Sequence, residues 1–264
     1  MVVTVTAQQP PANLQGTAQI GGNVPDNPGI PTLGALVSAG SFSAMARPSP
    51  GELVSVFGLN LADGMESASA LPLKTQMQGT LIAIGGRPLP LVYTSPNQVN
   101  AMMPYGLTPG TTYQLIATRG NRLAVPQSLT VAAAEPAIFT ADASGKGQGD
   151  IFIYVSAAEQ VLSSPARPAK AGDILIIYCA GLGSVDPPID AGFVVDRLIR
   201  TVTPIGLTIG GMQAQVLFSG LTGGLTGLYQ VNAMMPDGVI PGDAVPVVLT
   251  MGSISSPPVS MAVR

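Results

Sequence analysis

The chain has 264 residues, a net charge of −3, 9% charged residues, no histidine and one cysteine. The missing histidine excludes Ser-His-Asp catalysis and imidazole metal ligands, and a single cysteine excludes an intrachain disulfide and thiolate zinc sites. The 11 Lys and Arg residues are scattered and outnumbered by 14 acidic ones, which disfavours nucleic-acid binding.

Residues 1–40 contain one charged residue, Asp26, and many Pro and Gly residues, which predicts an extended tail without a core of its own. Near its start, valines alternate with threonines, and β-branched residues with a period of two favour a strand. The candidate donor strand spans residues 2–8. The residues predicted to contact another subunit are Val2, Val3, Thr4, Val5, Thr6 and Ala7.

Residues 41–134 alternate short apolar runs with Gly-Gly, Ser-Pro-Asn and Pro-Gly turn signals. This spacing predicts an antiparallel β-sandwich of immunoglobulin (Ig) type. The predicted strands are 53–57, 81–84, 89–93, 98–102, 113–118 and 128–131.

Residues 135–264 restate the same set of strands, because the heptapeptide QVNAMMP at 98–104 recurs unchanged at 230–236. Two copies at this spacing indicate a duplicated domain and not a solenoid. Extra residues in the second copy predict an inserted hairpin within 142–165 and a longer loop near 219–229. The alignment places Phe42 opposite Phe139. The predicted strands of this copy are 174–179, 206–209, 214–218, 229–234, 245–251 and 259–263.

The fold prediction is therefore all-β, with two tandem Ig-like antiparallel sandwiches from an internal duplication behind a strand-bearing tail. Motifs that carry a family resemblance are PGELVSVFG at 50–58, YTSPNQVN at 93–100, PAIFT at 136–140, GLG at 181–183, GLYQVN at 227–232 and the Ile-Gly-Gly turns at 84–86 and 209–211. In these motifs residues 41–264 resemble the C-terminal region of secreted Acidobacteria proteins, best known from Solibacter. The resemblance implies a secreted bacterial protein with domains of the transcription-factor-immunoglobulin type, and it implies no activity.

Few residues qualify as candidates for chemistry. Glu52 and Asp173 occupy equivalent positions after a turn glycine, and a catalytic acid has no reason to occur once per copy, so both are predicted to be structural. Cys179 lies in an apolar run and is predicted to be a strand residue. The Met-Met pairs at 102–103 and 234–235 lie in the repeated strand, which favours core packing over a soft binding surface.

Two acidic segments are weak candidates for calcium. Residues 142–150 lack the alternating ligands and closing Glu of a calcium loop and contain Lys146, so a Gly-rich turn is the favoured interpretation. Asp186, Asp190 and Asp196 form the second candidate. Without a catalytic set, we expect no enzyme, no cofactor and no metal.

The unrepeated tail is the part most suited to carry function, because the duplicated parts are scaffold. We expect a structural subunit of an extracellular filament, a homopolymer in which the tail strand of one copy completes a sandwich of the next. The alternative is a secreted cell-surface adhesion or carbohydrate-binding module, which requires exposed aromatic residues. The low charge indicates an extracellular protein, and the N-terminus lacks an intact signal peptide, so we expect a leader that was removed or lies outside this sequence.

Overall fold

The computed structural model describes residues 2–9, 12–19, 29–43, 47–221 and 223–264, and only the backbone for residues 2–9, 12–19 and 225. These residues form antiparallel β-sheets and no helix. The strands up to residue 130 are β1 Val2–Gln9, β2 Ala12–Gln19, β3 Thr32–Ser38, β4 Leu53–Leu59, β5 Glu66–Ser67, β6 Thr80–Ile84, β7 Arg87–Pro88, β8 Leu91–Ser95, β9 Gln98–Met102, β10 Thr112–Arg119, β11 Arg122–Leu123 and β12 Gln127–Thr130.

The remaining strands belong to the second copy. They are β13 Ala137–Ile138, β14 Ile151–Ser156, β15 Glu159–Leu162, β16 Ile174–Ala180, β17 Val185–Asp186, β18 Val194–Val195, β19 Ile199–Thr201, β20 Gly206–Ile209, β21 Met212–Gln213, β22 Gln215–Leu221, β23 Gly224–Leu225, β24 Tyr229–Met234, β25 Gly242–Met251, β26 Ile254–Ser255 and β27 Val259–Val263.

Each copy is a sandwich of two sheets. In the first, β3-β4-β9-β8-β5 faces β11-β10-β6-β7, with β12 paired to β10. In the second, β15-β14-β16-β24-β22-β19-β17 faces β21-β20-β25-β26, with β13 paired to β16 and β27 to β25. Alternating apolar residues of the two sheets fill a separate core in each copy, as the strand period of two requires. The all-β tandem sandwich is confirmed.

Strand register shows the duplication directly. The repeated heptapeptide forms the central strand in each copy, where Ala101 of β9 lies opposite Val54 and Ala233 of β24 lies opposite Leu175. Both pairs hold the offsets of the sequence alignment, since Val54 corresponds to Leu175 and Ala101 to Ala233. The duplicated residues therefore occupy the same place in both folds.

The first sheet begins inside the segment predicted to be tail. Strand β3 pairs with β4, and its Leu33 and Leu36 are buried in the first core. The pairing of Leu36 with Val56 corresponds to that of Ile151 with Ile177 in the second copy. Phe42 and Phe139 are thus not equivalent by register, because the first strand of the second copy is split into β13 and β14.

The extra residues of the second copy lie at that split. The bulge between Leu33 and Leu36 in β3 corresponds to the loop that separates Ile138 from Ile151. Beyond it, β14 turns at residues 157–158 and returns as β15, so a hairpin occurs where the insertion was predicted. The insertion therefore adds both a loop and a hairpin to the edge of one sheet.

Candidate functional site

The residues predicted to contact another subunit lie in β1. Strand β1 pairs antiparallel with β2 over its whole length, from Val2 opposite Gln19 to Gln9 opposite Ala12. The sequence predicted one strand here, and the structure has a hairpin. Its second strand, ANLQGTAQ, alternates small apolar residues with polar ones, but it contains Gly16 and no valine, isoleucine or aromatic residue, so its strand propensity is low.

This hairpin forms a two-stranded sheet of its own. Neither β1 nor β2 belongs to the ladders of the two sandwiches. Each of its strands thus has one edge without a strand partner among the described residues, and such an edge is a template for pairing with another chain.

The two sandwiches contact each other through a small apolar cluster. It joins Leu53, Leu73 and Met102 of the first copy to Phe139 and Ala180 of the second. The Met102 side chain is fully buried there, with its Sδ atom 3.2 Å from the Gly192 amide nitrogen and 3.3 Å from Thr226 Oγ1. Because a thioether is a weak hydrogen-bond acceptor, van der Waals packing stabilises this contact more than hydrogen bonding does.

A buried carboxyl group lies next to the same interface. Glu52 Oε2 accepts hydrogen bonds from the backbone amide and the hydroxyl of Ser49, both at 2.9 Å, whereas Oε1 has no partner. Burial raises the pKa of Glu52 to about 8, against the lowering effect of the Ser49 bonds. Gly181 lies beside this carboxyl, but it is the Glu135 backbone that requires glycine there: a Cβ would lie 3.4 Å from Glu52 Oε1, an ordinary contact, and only 1.9 Å from the Glu135 carbonyl oxygen.

The second copy uses its equivalent carboxylate in the same turn. Asp173 Oδ2 accepts the amide hydrogen of Lys170 at 2.8 Å, three residues upstream, as Glu52 does with Ser49. The pair therefore stabilises equivalent turns. Beside Glu52, two buried tyrosine hydroxyls, of Tyr105 and Tyr229, lie 3.2 Å apart, and burial raises the pKa of both phenols, that of Tyr105 to about 12.

The inserted hairpin carries a polar groove with aromatic walls. It is lined by Tyr154, Glu159, Gln160 and Tyr178 among others. Gln160 Nε2 donates to the Tyr178 hydroxyl at 3.1 Å, and the Tyr178 ring meets Phe152 edge to face at 5.7 Å between centroids. With 46% of Tyr154 exposed, this groove presents an aromatic ring and amide and carboxylate groups to solvent.

The two acidic segments are not assembled into metal sites in the described part of the chain, where no group of three His, Cys, Asp or Glu side chains converges. Asp142 Oδ1 accepts hydrogen bonds from the Ser144 amide and hydroxyl, which close a local turn. Asp150 is buried nearby, and burial together with the Asp142 charge raises its pKa to about 6.

Cys179 is a fully buried strand residue, as predicted, and burial raises the pKa of its thiol. The core prediction for the methionine pairs is correct for Met102, Met103 and Met235 but wrong for Met234, which is 38% exposed. Met234 lies on the outer face of its sheet, the face that in the first copy is covered by the second. Within the ranges that the structure describes, there is no candidate for a membrane-spanning helix.

The chain matches no protein-family model. It also matches no curated protein at a significant level. Among solved structures, it is similar to the surface glycan-binding protein PbSGBP-B from Prevotella bryantii at 14% identity and a TM-score of 0.27, covering 91% of this chain and 42% of that one. The I9–I11 tandem from titin matches at 11% identity and a TM-score of 0.22, covering 83% of this chain and 61% of that one.

Domains 5–6 of the S-layer protein SbsC match at 13% identity and a TM-score of 0.26, covering 88% of this chain and 98% of that one. This chain thus spans less than half of the first of these structures and about three fifths of the second. At such TM-scores the three likenesses say nothing about function.

Proposed function

We propose that this protein is a structural subunit of an extracellular filament, in which each copy donates its N-terminal strand to a sandwich of the next copy. The observation that carries this proposal is the separate hairpin β1–β2, whose strands belong to neither sandwich. A lone two-stranded hairpin is at best marginally stable in water. It gains stability by adding to a sheet.

The composition of β1 suits strand addition. Its residues 2–6 are all β-branched valines and threonines, which favour strands, and β1 carries no charge that would have to be desolvated. Donor and acceptor are different surfaces, so the contact is heterologous and propagates as an open helical polymer. The residues that make the contact are Val2, Val3, Thr4, Val5, Thr6 and Ala7.

The proposed location is outside the cell. A surface with few charges is suited to a closely packed polymer, because few ions lose their hydration on assembly. The partner in this proposal is a further copy of the same chain. No catalytic group, metal or cofactor takes part.

The proposal is tested by deleting residues 1–28. A longer deletion up to residue 40 would also remove β3 and its buried Leu33 and Leu36, and would unfold the first sandwich. Electron microscopy of the full chain is expected to show filaments, and the shortened protein is expected to remain a folded monomer by circular dichroism and light scattering. Normal filaments of the shortened protein would refute strand donation.

A second candidate function is glycan binding at the groove of the inserted hairpin. The observation that favours it is the exposed Tyr154 ring beside Gln160 and Glu159, because a sugar ring stacks on an aromatic face while its hydroxyls bond to amide and carboxylate groups. Binding to a glycan array that is lost in Tyr154→Ala would support it. The control is Phe193→Ala, which removes an aromatic ring of similar exposure outside the groove.

A further inference from the structure

The last strand of the sandwich is partly exposed in the first copy, where it is β12, and buried in the second copy, where it is β27. In the second copy, Val259, Met261 and Ala262 of β27 are at most 4% exposed. Their equivalents in β12 of the first copy are Gln127, Leu129 and Thr130, and all three are partly exposed. Strand β12 pairs with β10 in the same register as β27 pairs with β25. The difference in exposure therefore comes from the outer edges of β12 and β27.

Segments of the second copy itself seal the outer edge of β27. The Ser260 amide donates to the Gly147 carbonyl at 2.6 Å, and the Gly149 amide donates to the Ser260 carbonyl at 2.8 Å. Two residues further on, the Ala169 amide donates to the Ala262 carbonyl at 3.0 Å. These contacts form parallel bridges along the strand.

Among its described residues, the first copy lacks the first of these segments and has only part of the contacts of the second. The loop that holds Gly147 and Gly149 belongs to the insertion between Ile138 and Ile151, which has no counterpart in β3. The residue equivalent to Ala169 is Pro48, which has no amide hydrogen to donate. In the part of the first copy that the structure describes, the closed place is the far end of this edge, where the Ala132 amide donates to the Pro48 carbonyl at 3.0 Å.

An open edge follows at Ser128 and Thr130. The Val131 amide donates across to Thr111 of the β10 side, and the antiparallel alternation then directs the main-chain groups of Ser128 and Thr130 away from β10. Within the described residues these outward groups have no main-chain partner. The Gln127 side chain alone bridges to β3, through bonds to the carbonyls of Leu33 and Gly34 at 3.0 and 3.2 Å.

We infer that this β12 edge, with the seam between β12 and β3, is the acceptor that receives β1 of a second copy. The inference rests on the proposed strand donation and assigns its other half. In the second copy, main-chain segments cover the equivalent edge, which shows that the geometry there accommodates an added strand. In the first copy no described main-chain segment covers Ser128 and Thr130 at that position, and the donated strand is inferred to pair there.

Strand β1 is the occupant because of its chemistry and its place in the chain. Among the described residues, the strands outside the four sandwich sheets are β1 and β2 and the short pair β18 and β23. Val195 of β18 packs in the second core, whereas β1 has an uninterrupted β-branched run. Added at β12, it bonds to the outward groups of Ser128 and Thr130 and covers the partly exposed Leu129. In this structure the chain's own hairpin pairs within itself, so the donor is assigned to a second copy.

The main test is Ser128→Pro in the full-length chain. Proline removes the outward amide that a donated strand needs, and an edge position tolerates it because that amide is not part of the β10 ladder. The matched control is Ser128→Ala, which keeps the amide but, like the proline, loses the side-chain bond from Gln114 Nε2 to Ser128 Oγ. We expect about a tenfold or greater rise in the concentration at which Ser128→Pro polymerises, with Ser128→Ala close to wild type.

Disulfide trapping identifies the donor. Subunits carrying Ser128→Cys are mixed with subunits carrying Val3→Cys, Thr4→Cys or Val5→Cys, and the native Cys179 does not compete because it is fully buried. Mixed disulfide dimers with at least one donor variant are expected after mild oxidation. Chains that carry both a donor cysteine and Ser128→Cys test the other possibility. If a disulfide forms only within such chains, β1 pairs with β12 of its own chain, and the assignment to a second copy is overturned.

The outcomes separate the two proposals. If the wild-type chain forms no filaments, or forms them without residues 1–28, strand donation itself is refuted. If filaments depend on residues 1–28 but Ser128→Pro polymerises like Ser128→Ala and no mixed disulfide forms, strand donation stands and the β12 acceptor is refuted.

Discussion

The two copies place an identical heptapeptide in different surroundings. In the first copy, Met102 is fully buried against the second sandwich, near Gly192 and Thr226. In the second copy, the equivalent Met234 is 38% exposed on the outer face of its sheet. The same strand, in the same register, is an interface in one domain and a surface in the other.

This difference shows which part of the duplication is scaffold. The inward side chains of the strand, Val99 with Ala101 and Val231 with Ala233, are fully buried in both copies. Only the outward positions differ, because their surroundings come from the other domain. The same holds for the equivalent turn carboxylates, since Glu52 is fully buried beside Gly181 while Asp173 is partly exposed.

The largest expected effect comes from the same substitution made at both outward positions. Met102→Ala leaves a cavity between the sandwiches and is expected to lower the free energy of unfolding by about 2–5 kcal/mol. Met234→Ala removes a partly exposed side chain and is expected to change it by no more than about 0.5 kcal/mol. Urea unfolding of the two variants lacking residues 1–28 measures both without assembly. Equal losses of unfolding free energy in the two variants would contradict the conclusion that Met102 lies in an interface and Met234 does not.

The next effect concerns the buried carboxyl of Glu52. Its pKa is raised to about 8 from the ordinary 4.5, chiefly by burial, so the folded protein holds a proton that the unfolded chain releases above pH 4.5. The contribution of Glu52 to the free energy of unfolding is therefore fully present below pH 4.5. It falls as the pH rises towards 8, by up to about 1.4 kcal/mol per pH unit.

The matched variant for this group is Glu52→Gln, which keeps the shape but cannot ionise. The difference in unfolding free energy between wild type and Glu52→Gln, measured by urea unfolding from about pH 5 to about pH 8, is expected to move steadily in favour of the variant. If the two profiles run parallel over this range, Glu52 is ionised in the folded protein and its surroundings do not raise its pKa.

Local patterns predicted most of the sandwiches. The predicted strands 98–102 and 229–234 match β9 and β24 residue for residue, because apolar periodicity and flanking turn residues are local signals. Strand β3 was missed because its sequence TLGALVS has no period of two and contains a bulge between Leu33 and Leu36. Strand β2 was missed although its residues alternate, because ANLQGTAQ contains a glycine and no valine, isoleucine or aromatic residue and so has a low strand propensity.

The candidate site depended on contacts that no single segment encodes. Residues 2–7 could be selected as a strand from their valines and threonines, but their pairing with β2 could not. The open edge at Ser128 follows from Pro48 and from the lack, in the first copy, of the insertion that holds Gly147 in the second; both features are distant from Ser128 in sequence. Both features are visible in the sequence, but their effect on the β12 edge could be recognised only from the strand register that aligns β12 with β27.

The smallest expected effect is at Gln127, where a side chain holds the seam that main-chain bonds hold in the second copy. Gln127→Ala removes the two bonds to β3 and is expected to lower the free energy of unfolding by only about 0.5–1.5 kcal/mol, because the site is partly exposed. The effect on local opening of β3 is expected to be larger than the effect on global unfolding, because β3 has no other bridge to β12 among the described residues. Hydrogen exchange of the amides in β3 is therefore expected to quicken about tenfold while exchange in β9 stays near wild type. If β3 exchanged no faster, Gln127 would not be what closes the seam in the unassembled chain, and the contrast between the two edges would be weaker than their exposures indicate.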